Sequence, residues 1–384
     1  MSERPIYNTS PDQEKVREAA RTFGKKEILP LSQTLDRDPR FPIELYRKMA
    51  EAGFLGYTGP PEFGGAGKSW VEYATLIEEL SCFDASAGFI LSIGNLAMSP
   101  IELFGTEEQK RRFLPQMIRG EKIGAFALTE PGAGSDAMNL KTTFWTEGDS
   151  YIVEGEKLYI SSGDVADLLV VFCVPDRAVE KRSLSALILE TKDLGGLGRQ
   201  VLKHKMGLRG SSTARLTFDG CRVPKSNLLG EAGQGFKIAM KSLDYSRAAI
   251  AAQAVGLGQA CLDRAIGYAK KREAFGAPIS NLHAIQDMVA DMSTKLEAAR
   301  LLTYKAAALM DAGKPFAGES AQAKLFASEM VTFVADRTLQ VHGGSGYVGD
   351  LSDVEKLYRD ARVIPIYEGT SEIQRMIVAR HAFK

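Results

Sequence analysis

This 384-residue chain is short of the residue types that most often announce a function. It has four cysteines, Cys82, Cys173, Cys221 and Cys261, far apart and without C-x-x-C spacing. That excludes a disulfide framework and a thiolate metal cluster, and reduced thiols in a cytoplasmic protein are the natural reading. Its four histidines, His204, His283, His342 and His381, share no ligand spacing, so no metal site is expected. No run approaches ~18 consecutive apolar residues, so no membrane span is expected. Residues 1–17 mix acids and bases without an apolar core, so neither a signal peptide nor an Arg-rich transit peptide is read there. Net charge is missing too: 48 Lys and Arg balance 48 Asp and Glu. No net field recruits nucleic acid or an anionic membrane, although a local basic site for a phosphorylated ligand is compatible with the balance. What remains is ordinary globular composition, 45% hydrophobic and 25% charged, in a chain long enough for two or three domains.

Residues 1–122 read as helical. Ser10-Pro11 supplies an N-cap and N1, and Val16, Ala19, Phe23 and Ile28 a helical stripe. Further helices are expected over 42–52, 71–83 and 85–103, and after Thr106, with Glu107 and Glu108 in the first turn. Over 123–233 the period changes. Short segments at 123–128, 141–146, 151–153, 158–160, 168–174, 184–189 and 214–218 read as strands of a small barrel or sandwich. Over 234–384 the helical period returns in long runs at 235–272, 282–312, 318–341 and 354–379, which argue for a four-helix bundle. The fold class is therefore α+β and multidomain: an N-terminal helical domain, a middle β-barrel and a C-terminal four-helix bundle.

The stretch Ile366-Tyr367-Glu368-Gly369-Thr370-Ser371-Glu372-Ile373-Gln374-Arg375 carries the most chemistry. Ser371 and Gln374 have capping-box spacing, which predicts a helix starting here and running to about Arg380. Glu368 then sits on the bend, where Gly369 lets the backbone turn without a Cβ penalty. A carboxylate among Ile366, Tyr367 and Ile373 loses solvation, so its pKa rises from ~4.3 towards neutrality, which makes a usable general base. A glutamate favoured only by the helix dipole is the plain alternative.

Other clusters gain meaning only together. The loop Leu128-Thr129-Glu130-Pro131-Gly132-Ala133-Gly134-Ser135-Asp136 exposes backbone N–H groups in a tight turn and can form a nest for anionic or carbonyl oxygens; it is not a phosphate-binding Walker loop. Tyr159 and Ser161, two apart on a strand, point to one face, which suits a flat ring packed on the tyrosine or simply an exposed barrel stripe. Arg247, in Asp244-Tyr245-Ser246-Arg247, and Arg272, at the far end of the same helix before Phe275-Gly276, can each hold a phosphate; either can equally be a solvated surface charge. The loop Arg209-Gly210-Ser211-Ser212-Thr213-Ala214 leads into a strand. Glycines in Gln340-Val341-His342-Gly343-Gly344 end a helix and let another backbone or a ligand approach. Gly256-Leu257-Gly258 lies inside a predicted helix, so a Rossmann reading is rejected.

In order and spacing, these stretches resemble the acyl-CoA dehydrogenase family over essentially the whole chain. The resemblance rests on the Leu-Thr-Glu-Pro-Gly-Ala-Gly-Ser-Asp loop, the Arg-Gly-Ser-Ser-Thr-Ala loop, the Arg-x-x-Phe-Gly helix end and the closing Tyr-Glu-Gly-Thr-Ser-Glu-Ile-Gln. It implies FAD as cofactor, an acyl-CoA substrate, electron-transfer flavoprotein as electron acceptor and a homotetramer built as a dimer of dimers. Glu368 is then the base that removes the acyl α-proton while the β-hydrogen leaves as hydride to flavin N5. Phe126, Leu128, Thr129, Tyr159 and Ser161 match positions around the flavin, and Thr370 and Glu372 match FAD contacts. Arg272, Phe275, Gln340 and Gly344 match groups that hold FAD, usually across a dimer interface. Ser135, Leu243, Asp244, Arg247, Tyr367 and Gly369 match the substrate side.

Two departures matter. Tyr159-Ile160-Ser161 stands where the family commonly has Trp-Ile-Thr, and Ser246 precedes the helix arginine where branches with the base on that helix have Glu. The second keeps the base at Glu368. The C-terminal stretch looks closest to short-chain and branched-chain members, with straight, branched, alicyclic and aryl acyl groups all left open. The same residues could run the reaction backwards as an enoyl-CoA reductase, serve an oxidase, or persist in a non-catalytic binding module, whose signature would be loss of the base.

Overall fold

A computed structural model describes residues 10–175 and 183–383; residues 1–9 of the N-terminal stretch and Lys384 lie outside them. Ser10 caps α1 (Pro11–Phe23), accepting from the Gln13 backbone N–H at 3.1 Å. The buried stripe is Gln13, Val16, Arg17 and Ala20, an i, i+3, i+4, i+7 set that leaves the predicted Ala19 outside and exposed. One π-helical turn, Gly24–Ile28, then leads into α2 (Leu29–Arg37). The N-terminal helices are completed by α3 (Ile43–Glu51), α4 (Trp70–Phe83), α5 (Ala85–Phe104) and α6 (Glu107–Ile118). Capping boxes at Ser69–Glu72 and Thr106–Gln109 start α4 and α6. By length and composition α5 could cross a membrane, but 78% of its apolar window is buried inside this fold.

The middle region is one sheet: β1 (Gly124–Ala127), β2 (Thr143–Glu147), β3 (Ser150–Ser161), β4 (Leu168–Pro175), β5 (Ser185–Glu190), β6 (Leu197–Val201), β7 (Thr213–Pro224) and β8 (Leu228–Leu229). The order is β6-β7-β3-β2-β4-β5-β8, with β1 parallel to β4. Leu187 and Leu189 of β5 share a core with Leu216 and Phe218 of β7, although these strands are far apart in the order. The sheet therefore closes around its own interior, while Leu168, Val170, Phe172 and Val174 on the other face of β4 join the core around Phe113, Leu114 and Ile238. The predicted strands at 151–153 and 158–160 are one long strand, β3. Its pairing with β7 shifts register twice, at Val153/Gly155 and Lys157/Ile160. Polar, exposed β6 and two-residue β8 have no apolar alternation and were not foreseen.

The C-terminal region has α7 (Gly235–Lys271), a hairpin of β9 (Glu273–Ala274) and β10 (Ala277–Pro278), α8 (His283–Asp311), α9 (Ala317–His342), α10 (Gly344–Tyr347), α11 (Val354–Ala361) and α12 (Ser371–Ala382). Gly256 permits a close approach of α7 to α4, since a Cβ there would lie 2.1 Å from the Glu78 carbonyl oxygen. The fourth predicted run, 354–379, is corrected to two helices separated by an irregular segment at 362–370. Pro365 cannot continue a helix, and Glu368 and Gly369 both adopt positive φ.

One buried charge cluster joins all three regions. Lys356 of α11 lies 3.0 Å from Asp84, the N-cap of α5, and 2.7 Å from Asp360. Asp360 also accepts from the Leu208 backbone N–H at 2.6 Å, which ties in the loop between β6 and β7. Alongside, Arg359 pairs with Asp36 of α2 at 2.6 Å and donates to the Met206 carbonyl at 3.0 Å. Removing one member of such a set leaves uncompensated buried charge. Lys356→Met should therefore cost about 3–5 kcal/mol in chemical denaturation; a loss under ~1 kcal/mol, the range of surface pairs, would contradict the role given to the cluster.

Candidate active site

The broken fourth helix carries the candidate site. Between α11 and α12 the chain makes an irregular bend, and Glu368 sits on it at φ 56, followed by Gly369 at φ 87. Two consecutive left-handed residues turn the chain so that Thr370, not Ser371, becomes the N-cap of α12. The Thr370 hydroxyl accepts from the Ile373 backbone N–H at 3.3 Å. This corrects the predicted capping box: Ser371 is already helical, and Gln374 turns back to donate to the Glu368 and Gly369 carbonyls at 3.1 and 3.0 Å.

The Glu368 carboxylate is half-buried, and its Oε2 is shut off from solvent without a hydrogen-bond partner. Burial pushes its pKa above the ordinary value of 4.5; the Ser246 hydroxyl, Lys324 and Arg247 pull it back only in part. Ser246 faces the carboxylate without reaching hydrogen-bond geometry. The Glu368 backbone N–H donates to no group among the described residues. A carboxylate with a raised pKa beside an unused N–H can take a proton from a carbon acid whose carbonyl accepts that N–H.

Three elements converge on this bend. From α7 come Leu243, Asp244, Ser246 and Arg247; Arg247 is buried and paired with Asp244. From α9 comes Lys324, which donates to the Ile364 and Gly369 carbonyls, both at 2.8 Å. Tyr367, beside the carboxylate, hydrogen-bonds Gln253 of α7, packs 4.9 Å from the Phe89 ring of α5, and has its phenol pKa pushed up by burial. Phe126 of β1 and Leu243 pack against both the bundle core and the sheet–helix core, which also contains Leu128.

The predicted loop at 128–136 is built on a buried ion pair, Lys157–Glu130 at 2.8 Å. Lys157 also donates to the Leu128 carbonyl, and Glu130 accepts from the backbone N–H groups of Lys141 and Thr142. Glu130 and Ala133 close a tight turn on each other, so the nest is smaller than expected. The N–H groups of Gly132, Gly134 and exposed Ser135 form no hydrogen bond among the described residues, and Thr129 offers a half-buried hydroxyl. Tyr159 is 65% exposed at φ 61, on the second irregularity of β3. Buried Leu158 and Ile160 leave Tyr159 and half-buried Ser161 on the accessible side.

The remaining predicted residues are not gathered here. Arg272 follows α7, roughly 37 Å along the helix from Arg247 at ~1.5 Å per residue. It is exposed and has no ion-pair partner among the described residues, and Phe275 projects from the β9–β10 hairpin, 93% exposed at φ 54. Gln340 and Gly344 are likewise exposed, at the far end of α9. Thr370 and exposed Glu372 line an open cavity of about 630 Å³ with Ile366, Arg362 and Phe333.

Profiles of the N-terminal, middle and C-terminal domains of acyl-CoA dehydrogenases match residues 10–121, 125–221 and 233–383. The chain belongs to the acyl-CoA dehydrogenase family. It is 46% identical over 371 residues to the mitochondrial short-chain specific acyl-CoA dehydrogenase of Mus musculus, covering 96% of this chain and 89% of that one. It is 44% identical over 380 residues to the acryloyl-CoA reductase (NADH) of Anaerotignum propionicum, covering 98% and 96%. A chain of the Acidaminococcus fermentans electron transferring flavoprotein structure superposes with TM-score 0.95 at 42% identity, covering 99% of this chain and all of that one.

Within this acyl-CoA dehydrogenase, the sequence reading gave no role to Lys157, Lys324 or Gln253, and read Gln374 only as half of a capping box. Lys324 had a signal: it falls on the i, i+3, i+4 face of Ser320, Ala321, Ala327 and Ser328, all buried. The raised pKa of Glu368 has a consequence for stability. The fold holds its proton more tightly than the unfolded chain, so this group's contribution is lost as pH rises from the ordinary glutamate range through the raised value. Glu368→Gln should therefore melt higher than wild type at neutral pH, with the gap closing near pH ~4. A variant that melts lower at neutral pH would contradict the desolvation reading.

Proposed function

We propose that this enzyme is an FAD-dependent dehydrogenase that desaturates a short-chain acyl-CoA thioester to the 2,3-enoyl-CoA. The observation that carries the reading is the desolvated Glu368 carboxylate, with a partner-free Oε2 and its own backbone N–H unused beside it. The α-proton of a thioester is weakly acidic. Glu368 takes that proton, and the backbone N–H of the same residue stabilises the negative charge gathering on the thioester oxygen. Tyr367, tied to Gln253 and packed at a tilt against Phe89, fills space next to the carboxylate, which supports a small acyl group. Similarity to a short-chain specific relative supports the same substrate class.

The residues present fit FAD. Free N–H groups at Gly132, Gly134 and Ser135, the hydroxyls of Thr129 and Ser161, and accessible Tyr159 offer contacts for a polar ring system. Phe126 and Leu128 give its apolar wall, and Thr370 and Glu372 add polar contacts from the bend. When bound, FAD supplies the acceptor for the β-hydride and passes the electrons on. We assign Arg272, Phe275, Gln340 and Gly344 to the cofactor of a second copy, because all four are exposed and far along α7 and α9 from Glu368. A homotetramer built from such pairs is the assembly we propose. Similarity to a chain in an electron transferring flavoprotein structure supports that flavoprotein as electron acceptor. Ser135, Asp244 and Arg247 take the CoA side. Four buried cysteines, none of them in a disulfide, support a reducing compartment, and we place the enzyme in the cytoplasm.

A second reading has its own support. The chain is 44% identical to a relative named acryloyl-CoA reductase, and the same Glu368, protonated, would return the α-proton in that direction. Anaerobic titration separates the two: bleaching of the flavin by butyryl-CoA shows the dehydrogenase half-reaction, whereas oxidation of reduced flavin by crotonyl-CoA without detectable bleaching favours the reductase.

Glu368→Gln should keep its FAD and assembly yet lose roughly 10²–10⁴-fold in flavin bleaching rate; near-normal turnover would remove Glu368 from the mechanism. Arg272→Ala should purify with depleted flavin, and a fully loaded, equally stable variant would count against the contact assigned to it.

A further inference from the structure

Lysine is among the side chains least often buried without a partner carboxylate. Lys324 of α9 is fully buried, yet its ammonium makes no ion pair within 4.0 Å among the described residues. It donates instead to two carbonyls, those of Ile364 and Gly369, each at 2.8 Å. These residues stand at opposite ends of the bend that carries Glu368. One cation therefore bridges the bend across its base. The fastening is doubled: one turn along α9 the Ser328 hydroxyl lies 3.4 Å from the Ile364 carbonyl, and Gln374 of α12 reaches the Gly369 carbonyl from the other side.

A neutral amide could satisfy two carbonyls at a lower desolvation cost, so the use of a charge calls for a reason. The charged groups facing Lys324 are Glu368 of the bend, Arg247 of α7 and Glu372 of α12. Arg247 is already paired with Asp244, and Glu372 is exposed at the start of α12. Half-buried Glu368, with its Oε2 shut off from solvent, is the remaining counter-charge, and Lys324 favours its ionised form more than Arg247 does. The mechanism proposed above uses Glu368 and leaves Lys324 without a task.

We propose, resting on that mechanism, that Lys324 is the positioning residue of the base: it closes the 364–369 bend so that Glu368 keeps its left-handed backbone, and it supplies the fixed positive charge beside the carboxylate. It touches no reacting atom in this role. Two consequences can be separated. Loss of the donors loosens the bend, and loss of the charge makes Glu368 harder to ionise. Burial lowers the pKa of Lys324 itself to about 8, so the ammonium is present at neutral pH and fades above that. Activity that needs Glu368 ionised and Lys324 charged thus has an acid limb set by the first and an alkaline limb set by the second.

The test uses the FAD-loaded enzyme and compares wild type with Lys324→Met, which keeps length and apolar volume, and Lys324→Arg, which keeps charge. Anaerobic flavin bleaching by saturating butyryl-CoA is followed between about pH 5 and 9, with hydrogen exchange of residues 364–374 and thermal unfolding measured alongside. In Lys324→Met the bleaching rate at neutral pH should fall roughly 10- to 100-fold. Its acid limb should move to higher pH, and the amides of the bend should exchange faster while the rest of α9 keeps its protection. Lys324→Arg should hold the acid limb near its wild-type position and lose the alkaline limb.

A Lys324→Met enzyme with the wild-type rate and pH profile overturns the proposal. So does one slowed by the same factor at every pH with the bend's exchange unchanged, because a merely structural lysine gives that pattern. Should Lys324→Met not fold, Lys324→Gln takes its place and the position of the acid limb decides in the same way. Wild-type flavin that no acyl-CoA bleaches would defeat the dehydrogenase reading instead. Bend exchange in the same variants needs no substrate and still separates a clamped bend from an unclamped one.

Discussion

Keeping charge away from water is the constraint on which this structure turns, and buried lysines meet it. Lys157, Lys324 and Lys356 are almost wholly inaccessible; the first two serve segments outside regular secondary structure, and the third joins α11 to the residue that caps α5. Such segments cannot satisfy their own carbonyls through a helix or sheet ladder. A lysine head group brings three donors in a compact cluster, enough to gather carbonyls or carboxylates from strands of chain that do not otherwise meet. Lys157 does this for the loop at 128–136, Lys356 for the meeting of the three regions and Lys324 for the bend at 362–370. In each case an acidic residue faces the lysine at close or moderate range, which offsets the cost of burying it.

These three points of attachment explain how an improbable backbone is kept. A non-glycine residue in the left-handed region costs roughly 1–2 kcal/mol, and it persists only where its surroundings over-determine it. Glu368 meets that condition. Upstream, α11 is bolted by Asp360 and Arg359 to the rest of the molecule. In the middle, Lys324 holds both ends of the bend. Downstream, Thr370 caps α12 and Gln374 pins the two carbonyls after the turn. The carboxylate is thereby directed by backbone rather than by a hydrogen bond to its own oxygens. That matters for a base: a carboxylate oxygen already accepting a strong hydrogen bond would hold its charge more comfortably and take a proton less readily.

The helical, sheet and helical regions were legible because apolar period is a local property, and the order of types survives errors of a few residues at each end. Glu368 was legible from Tyr367 and Gly369 on either side of it, although Ile366 is exposed and groups from α7 and α9, not the local neighbours alone, surround the carboxylate. What escaped was non-local. The run at 354–379 reads as one helix by its apolar stripe, and only Pro365 signals the interruption that makes the site. The cap moved by one residue because the choice between Thr370 and Ser371 depends on where two left-handed residues leave the chain, which pattern does not reveal. Tyr159 and Ser161 were placed on one face by strand alternation; they do share the accessible side, but by way of a register shift that alternation does not contain. Lys157 and Lys356 look like any other lysines, because Glu130 and Asp84 lie far off in sequence, and Lys324 showed only its place on a buried face of α9, since its carbonyl partners belong to the bend.

The two long helices also settle what one copy of the chain can do alone. Ser246 and Arg247 on α7 and Lys324 on α9 converge at the Glu368 bend, while Arg272 and Gln340 mark the opposite ends of the same helices. A helix is close to incompressible along its axis, so roughly 37 Å of α7 separates Arg247 from Arg272 whatever the side chains do. No rearrangement short of breaking that helix brings Arg272 to the bend of its own chain. The two-fold pair proposed above would do so without distortion, since an isologous contact allows the far end of each molecule to meet the near end of the other. In that proposed pair the chemistry of the bend would belong to one chain and part of the cofactor's hold to its neighbour, and each copy's loading would depend on the assembly remaining intact.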